Sequence, residues 1–386
     1  MSNVFNGTTG NDVFYGTGQD DVFLSYGGTD FFYGGGGNDI FNGGSAGTLN
    51  AYGGLGNDTY VVTTLSFSCV ENPNEGIDTI VVHVSAAFQL PANIENMVLL
   101  QGSSVSSGWG NDLANSILGN SNSNVLIGFG GNDTLTGGEG EDVLYGENNT
   151  EGVTGGNDIL RGGGDDDVLL GEGGNDTLDG GAGGDTLRGG HGNDLYLLGA
   201  DATDTIIEMS GVDTISSTIT RSLVGYAQIE NLTLLGTAAI NGTGNNLANT
   251  ILGNAKANTL RGEGGADKLN GGSGADKLYG GASNDIFIFN TALTAANRDI
   301  IYDFNLGNDT IQLENAIFTK AGPVGALKSA AFALSTATKA ADDRIIYNKS
   351  TGQLFYDSDG SGAAAAILFA TLQNKPTVTA TDFQVI

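Results

Sequence analysis

Apolar residues recur along this chain at a spacing that helices do not use. From Gly7 the sequence reads GTTGNDVFY, GTGQDDVFL, SYGGTDFFY and GGGGNDIFN, so an aspartate slot returns every nine residues at Asp12, Asp21, Asp30 and Asp39. GGLGNDTYV adds Asp58. The beat resumes with Asn115 and Asn124 in the slot, followed by Asp133 and Asp142. After an irregular stretch at 147–154 it continues through Asp158, Asp167, Asp176, Asp185 and Asp194. A third run holds Asn249, Asn258, Asp267, Asp276 and Asp285. An apolar residue stands two places after each aspartate slot, for example Phe23, Leu178 and Phe287. A helix face needs apolar positions three and four apart, so this pattern predicts very short strands with one inward side chain each. The glycine-rich residues between them predict sharp turns that use positive φ.

Two stretches interrupt the beat and resemble each other. Asn57-Asp58-Thr59-Tyr60-Val61-Val62 parallels Asn193-Asp194-Leu195-Tyr196-Leu197-Leu198, and Gly76-Ile77-Asp78-Thr79-Ile80 parallels Gly211-Val212-Asp213-Thr214-Ile215. Their alternating, β-branched character predicts strands longer than those of the repeats. Wide coils of one solenoid and small separate lobes fit this pattern equally. The chain thus divides into an N-terminal roll (1–61), a spacer (62–109), a central roll (110–197), a second spacer (198–243), a third roll (244–288) and a C-terminal region (289–386). In that last region strands are expected at 298–304 and 308–313, a helix over the Ala-rich 325–341, and a hairpin joining 344–347 to 353–357. A repeat array exposes unpaired strand edges, so this region is expected to cap it.

The nine-residue unit resembles the consensus G-G-x-G-x-D-x-U-x of the RTX family, which GGGGNDIFN at 34–42 and GGLGNDTYV at 53–61 match in full. The resemblance implies an all-β parallel β-roll or β-solenoid, with two nonapeptides to a coil and calcium between like turns of successive coils. Asp12 would then lie beside Asp30, Asp21 beside Asp39, Asp158 beside Asp176 and Asp267 beside Asp285. Adjacent strands stand about 4.8 Å apart, so such rows of carboxylates repel. Calcium takes roughly 6–8 oxygens at about 2.3–2.6 Å, and glycine carbonyls with one carboxylate from each of two coils can supply them. The expected ligands are Asp12, Asp21, Asp30, Asp39, Asp58, Asp133, Asp142, Asp158, Asp167, Asp176, Asp185, Asp194, Asp267, Asp276 and Asp285. The four slot asparagines keep an oxygen without its charge and read as weak or empty edge sites. Because each site exists only when coils stack, ion binding is folding. The tail, down to Asp382-Phe383-Gln384-Val385-Ile386, resembles the C-terminal region of RTX proteins exported by type I secretion and implies an uncleaved secretion signal there.

Composition narrows the function. With 44 acidic and 14 basic side chains in 386 residues the formal net charge is −30, which leaves no basic face for nucleic acid or anionic membrane. About ten calcium ions would offset most of that −30. The 65 glycines come with only 4 prolines and abundant strand formers, unlike collagen or a disordered chain. No apolar run is long enough to span a bilayer, and no N-terminal signal segment is evident. Cys69 is alone, and His83 and His191 lack metal-ligand company.

Other motifs carry less chemistry. Gly43-Gly44-Ser45-Ala46-Gly47 has the form of an esterase elbow without its strand and helix, and reads as a roll turn. Asp357-Ser358-Asp359-Gly360 resembles the start of an EF-hand, but Leu368 stands at the twelfth position, so a hairpin turn is the reading. Glu71, Glu95, Glu208 and Glu230 recur in the spacers and read as acids at strand ends. The nonapeptides run from Gly7 to Ile288 and leave no room for a separate catalytic domain.

The expectation is therefore a non-catalytic, calcium-binding, secreted protein that stays unfolded where free calcium is low, folds outside the cell and assembles into an extracellular layer, sheath or filament. Its expected partners are further copies of itself, the type I secretion machinery and cell-surface polysaccharide. The alternative is an extracellular enzyme or adhesin that engages polysaccharide through a spacer or the C-terminal region.

Overall fold

The computed structural model describes residues 3–44, 46–148, 155–200, 203–335 and 340–386. Ser45 and residues 149–154 lie outside them. The chain forms two compact units, Met1–Gly211 and Val212–Ile386. The described residues contain short strands and two 3₁₀ turns, Ser329–Ala331 and Ala380–Asp382. No helix among them is long and apolar enough to cross a membrane.

In the first unit the nine-residue beat becomes two faces: each nonapeptide contributes one short strand, and alternate nonapeptides stack. One face is a continuous parallel ladder from Asn3–Asn6 through Asp21–Leu24, Ile40–Asn42 and Thr59–Val62 to Leu195–Leu198. The other carries two parallel ladders, Val13–Tyr15 to Phe67–Val70 and Phe88–Gln89 to Thr205–Ile207. Strands of the first spacer, Thr79–Val82 and Asn96–Leu99, stack between Thr59–Val62 and Ser116–Leu118, so this spacer is made of coils and not of a lobe. Leu135 pairs with Leu160 across the irregular stretch, in unbroken register.

The predicted apolar positions fill the interior. Phe23, Phe32, Phe41, Tyr60, Leu135, Leu144, Leu160, Leu169, Leu178, Leu187 and Tyr196 are fully buried in the first unit. Parallel in-register stacking places like residues over like, so Phe5, Phe23, Phe41 and Tyr60 form a ring stack with centroids 4.8, 4.9 and 5.1 Å apart. Turns are as tight as the pattern implied: Gly181 adopts φ +102°, a conformation that a side chain would strain.

In the second unit a parallel ladder runs from Thr214–Ser217 to Thr310–Leu313 and is extended by the strand Phe383–Val385. The facing ladder ends on Asp299–Ile301, which pairs with Ile367–Leu372. The expected hairpin forms, Ile345–Asn348 against Gln353–Tyr356, and packs antiparallel on Ile367–Leu372. These elements cover the strand edges, as expected of a cap.

The expected helix over 325–341 does not form in its described part. Gly325–Ala326 pairs with Gln384–Val385, Ser329–Ala331 is one 3₁₀ turn, and Phe332–Leu334 pairs with Ile345–Tyr347; residues 336–339 lie outside the described residues. Two open sheet edges and the Phe332–Phe383 ring contact at 5.7 Å outweigh alanine's helix preference. Trp109 lies in the strand Ser107–Trp109 within a ladder.

Because each coil is held by its neighbours, a core cavity is felt locally. Leu178→Ala is expected to cost about 2–5 kcal/mol, read as a lowered thermal midpoint in calcium buffer. An unchanged midpoint would mean that Leu178 does not sit in a packed interior.

Candidate metal centre: the slot carboxylates

Most slot residues sit at the bend just before a strand, while Asp21 opens the strand Asp21–Leu24 and Asp30 lies in Thr29–Gly36; the two oxygens of a slot carboxylate have different surroundings. The first oxygen is a latch. The backbone N–H of Asp12 donates to Asp30 Oδ1 at 2.9 Å, that of Asp21 to Asp39 at 2.7 Å, that of Asp158 to Asp176 at 2.8 Å and that of Asp267 to Asp285 at 3.0 Å. Asp39, Asp142, Asp167 and Asp176 donate likewise to Asp58, Asp167, Asp185 and Asp194. All four pairs expected from the sequence are thus neighbours. Their contact is an attractive N–H to carboxylate bond, which reasoning from like charges alone misses.

In ten of the aspartates the second oxygen has no such partner. In Asp39, Asp58, Asp133, Asp142, Asp158, Asp167, Asp176, Asp267, Asp276 and Asp285 the Oδ2 atom is buried without a hydrogen bond. It lies against a glycine five residues earlier in the regular turns: a Cβ on Gly162 would run into both Asp167 Oδ2 and the carbonyl oxygen of Gly180. Carboxylate and carbonyl oxygens therefore converge where no donor meets them. A buried polar group without a partner is costly, and an anionic one more so. A cluster of hard oxygen acceptors is the donor set that suits calcium, so the residues present fit the ion.

The electrostatics agree. Burial pushes the carboxyl of Asp176 up to about 9, Asp133 up to about 8, and Asp167 and Asp267 up to about 7; the latch bond opposes the rise and a neighbouring slot carboxylate adds to it. The ordinary aspartate value is 3.8, so without a cation these folded turns favour protonation near neutral pH.

Other turns meet the same need with protein donors. Asp12 Oδ2 accepts from the Thr8 N–H at 2.6 Å and its hydroxyl at 3.0 Å, and Asp30 Oδ2 accepts from the Ser25 hydroxyl at 2.5 Å. Asp21 accepts from Thr17 N–H and hydroxyl and from Asn3 N–H and Nδ2; burial acts upward on its carboxyl, but these donors hold it below the usual range. The signal, a hydroxyl residue at the head of the nonapeptide, is visible in the sequence. The slot asparagines go further. Asn249 Oδ1 accepts from Asn245 N–H at 2.7 Å, and its Nδ2 donates to the carbonyl of Glu230 at 3.0 Å. Asn258 does the same with Asn254 N–H and the carbonyl of Ile240. Asn115 and Asn124 take the corresponding N–H groups of Asn111 and Asn120. An amide carries its own donor, so these turns close without a cation.

The ladder also includes acids off the nine-residue beat. Asp78 accepts from Asp58 N–H, Glu95 from Asp78 N–H, Asp299 from Asp276 N–H and Asp309 from Asp285 N–H. An acid followed two places on by an inward apolar residue would have found the aspartates. His83 is exposed, and His191 Nδ1 meets the Ser210 hydroxyl at 2.7 Å. Asp357 Oδ1 accepts from the N–H groups of Asp359 and Gly360 in a loop between two strands, without flanking helices.

Residues 2–32, 25–46, 108–148, 153–187, 171–206, 243–278 and 262–290 match the family described as RTX calcium-binding nonapeptide repeat (4 copies). Every slot aspartate expected as a ligand lies in a matched stretch except Asp58. No curated protein matches the chain.

Two outcomes follow for these turns. Asp176→Asn keeps the latching oxygen and loses the charge; it is expected to bind one ion fewer in equilibrium dialysis with a near-native circular dichroism spectrum at saturating calcium. For pH, the folded-state values lie above the unfolded ones. The metal-free fold therefore has its full proton-linked stability below about pH 4 and loses it as pH rises through about 6–9. In chelator, strand ellipticity is expected to fall as pH is raised across that window, and calcium is expected to restore it; a signal that grows with pH in chelator would contradict this.

Proposed function

Since the chain belongs to the RTX calcium-binding nonapeptide-repeat family, we infer that it is a secreted scaffold which calcium folds and which then assembles into an extracellular layer, sheath or filament. The observation that carries this reading is the row of buried slot carboxylates whose second oxygens face carbonyls and no donor. In a low-calcium compartment those oxygens oppose stacking, and the chain remains threadable for type I export. At millimolar calcium the same oxygens bind ions between coils, and folding is drawn forward by mass action. The ion supplies charge compensation. The chain's own part is to latch each Oδ1 to a neighbouring backbone and to hold the turn open with glycine.

Assembly is supported by the first coil. Among the described residues Asn3–Asn6 is paired on one side only, with Asp21–Leu24, and Val4, Val13 and Tyr15 nearby are exposed. An edge of this kind accepts a further strand. The role proposed is structural and non-catalytic, with further copies of the chain as partner. The alternative places polysaccharide on a spacer or the C-terminal region; the tyrosine row of the N-terminal roll, Tyr15, Tyr33 and Tyr52, gives it no further platform, since these rings stack with centroids 4.9 and 4.7 Å apart and nearly parallel planes, their faces turned to one another.

The test is a calcium titration of chelator-treated full chain followed by circular dichroism, sedimentation and electron microscopy together. A cooperative gain of strand signal followed by large particles is expected. Strand signal with monomeric sedimentation removes the assembly claim, and no gain of strand signal removes the calcium-folding claim.

A further inference from the structure

Where the first roll passes into its spacer, the turn is built differently from every nonapeptide. Tyr33 pairs with Tyr52 and Tyr52 with Val70, so the column of residues that follows these strands runs Gly34, Gly53, Glu71. A glutamate thus stands where the preceding turns have glycine. Its side chain reaches back into the turn of Gly53. The space that a Cβ on Gly53 would take is occupied by Glu71 Oε1, Asp58 Oδ2 and the Tyr60 hydroxyl.

Asp58, Glu71 and Asp78 are 1, 5 and 1% exposed, and each places a carboxylate oxygen within 4.8 Å of the others. Their hydrogen bonds are incomplete. Glu71 Oε1 accepts from the Tyr60 hydroxyl and Oε2 from Gly54 N–H at 3.3 Å, while Asp58 and Asp78 each accept a latch bond at 2.7 Å. Asp58 Oδ2, buried and aimed at Glu71, has no partner. No lysine or arginine among the described residues pairs with any of the three. Three buried carboxylates at one point need a positive charge between them.

We propose that Asp58, Glu71 and Asp78 form a calcium centre of their own, distinct from the nonapeptide turns, which clamps the first spacer onto the N-terminal roll. All available donors are hard oxygens, which selects calcium over softer metals. Affinity in calcium sites rises with the number of charged ligands and with rigidity. Three carboxylates, one of them braced by a fully buried tyrosine, make this the tightest site of the first roll and the first to fill. A related contact recurs at the next roll's end, where the hydroxyl of buried Tyr196 bonds Glu208. The proposal rests on the calcium reading of the rolls and adds a ligand that the repeat does not contain.

The test uses the calcium-depleted full chain. Calorimetric titration with calcium chloride, and ion counting after dialysis, are run on the wild type, Glu71→Gln and, as a reference, Asp176→Asn. Glu71→Gln is expected to bind one ion fewer and to weaken the earliest binding phase about tenfold or more, whereas Asp176→Asn loses an ion from a later phase only. An unchanged first phase and ion count in Glu71→Gln, while the rolls still bind calcium, overturns this centre and leaves a shared proton as what joins the carboxylates. Absence of all calcium uptake by the wild type overturns the reading of the rolls instead. As a second probe, substoichiometric terbium is excited through tyrosine in wild type and Tyr60→Phe, which keeps every carboxylate. Emission is expected to drop by about half in Tyr60→Phe, and equal emission overturns the proposal even if Glu71→Gln fails to fold.

Discussion

The structure depends on one divided carboxylate. In the slot aspartates from Asp39 on, one oxygen is bound to the backbone N–H of the coil before it, which sets the register of the stack; in most of them the other is driven into a turn beside carbonyl oxygens. The first interaction makes coils adhere and the second makes adhesion conditional, because an anionic oxygen without a donor is costly to bury. Where the second oxygen is bare, calcium sensitivity therefore lies in half of the side chain, and the other half is architecture.

The same turn appears with three ways of meeting that oxygen's need. Threonine or serine supplies a donor at Asp12, Asp21 and Asp30. An amide at Asn115, Asn124, Asn249 and Asn258 replaces the anion. Asp39, Asp58, Asp133, Asp142, Asp158, Asp167, Asp176, Asp267, Asp276 and Asp285 leave the place to a cation. The asparagine turns stand where spacer passes into roll, so the central and third rolls each begin on coils that close by protein hydrogen bonds alone and offer the following aspartates a formed edge. Asn115 N–H donates to Asp133 and Asn249 N–H to Asp267, each at 2.7 Å.

Much of this was legible in the chain. A beat of nine, an acid in a constant slot and an apolar residue two places on specify strand, turn and interior, because parallel stacking repeats each position's environment. The slot pairs could be named for the same reason. Asp78, Asp299 and Asp309 escape a count by nines, since their coils differ in length from the regular one; only the acid followed two places on by an inward apolar residue marks them along the chain, and the stacked ladder shows them in the slot. The role of Glu71 was not legible, since it depends on which glycine column it continues. The Ala-rich segment misled, because helix preference is local and the edges it covers are not.

By itself, then, the sequence determined the repeating unit, the inward residues, the acidic turns and the cation they call for, all of which follow from periodicity and side-chain chemistry. Tertiary structure decided that the first spacer is made of coils, which carboxylate oxygens are latched and which are left bare, and how the C-terminal segments cover the edges. Those outcomes turn on hydrogen-bond partners some twenty residues away along the chain, and such partners exist only once one coil lies on the next.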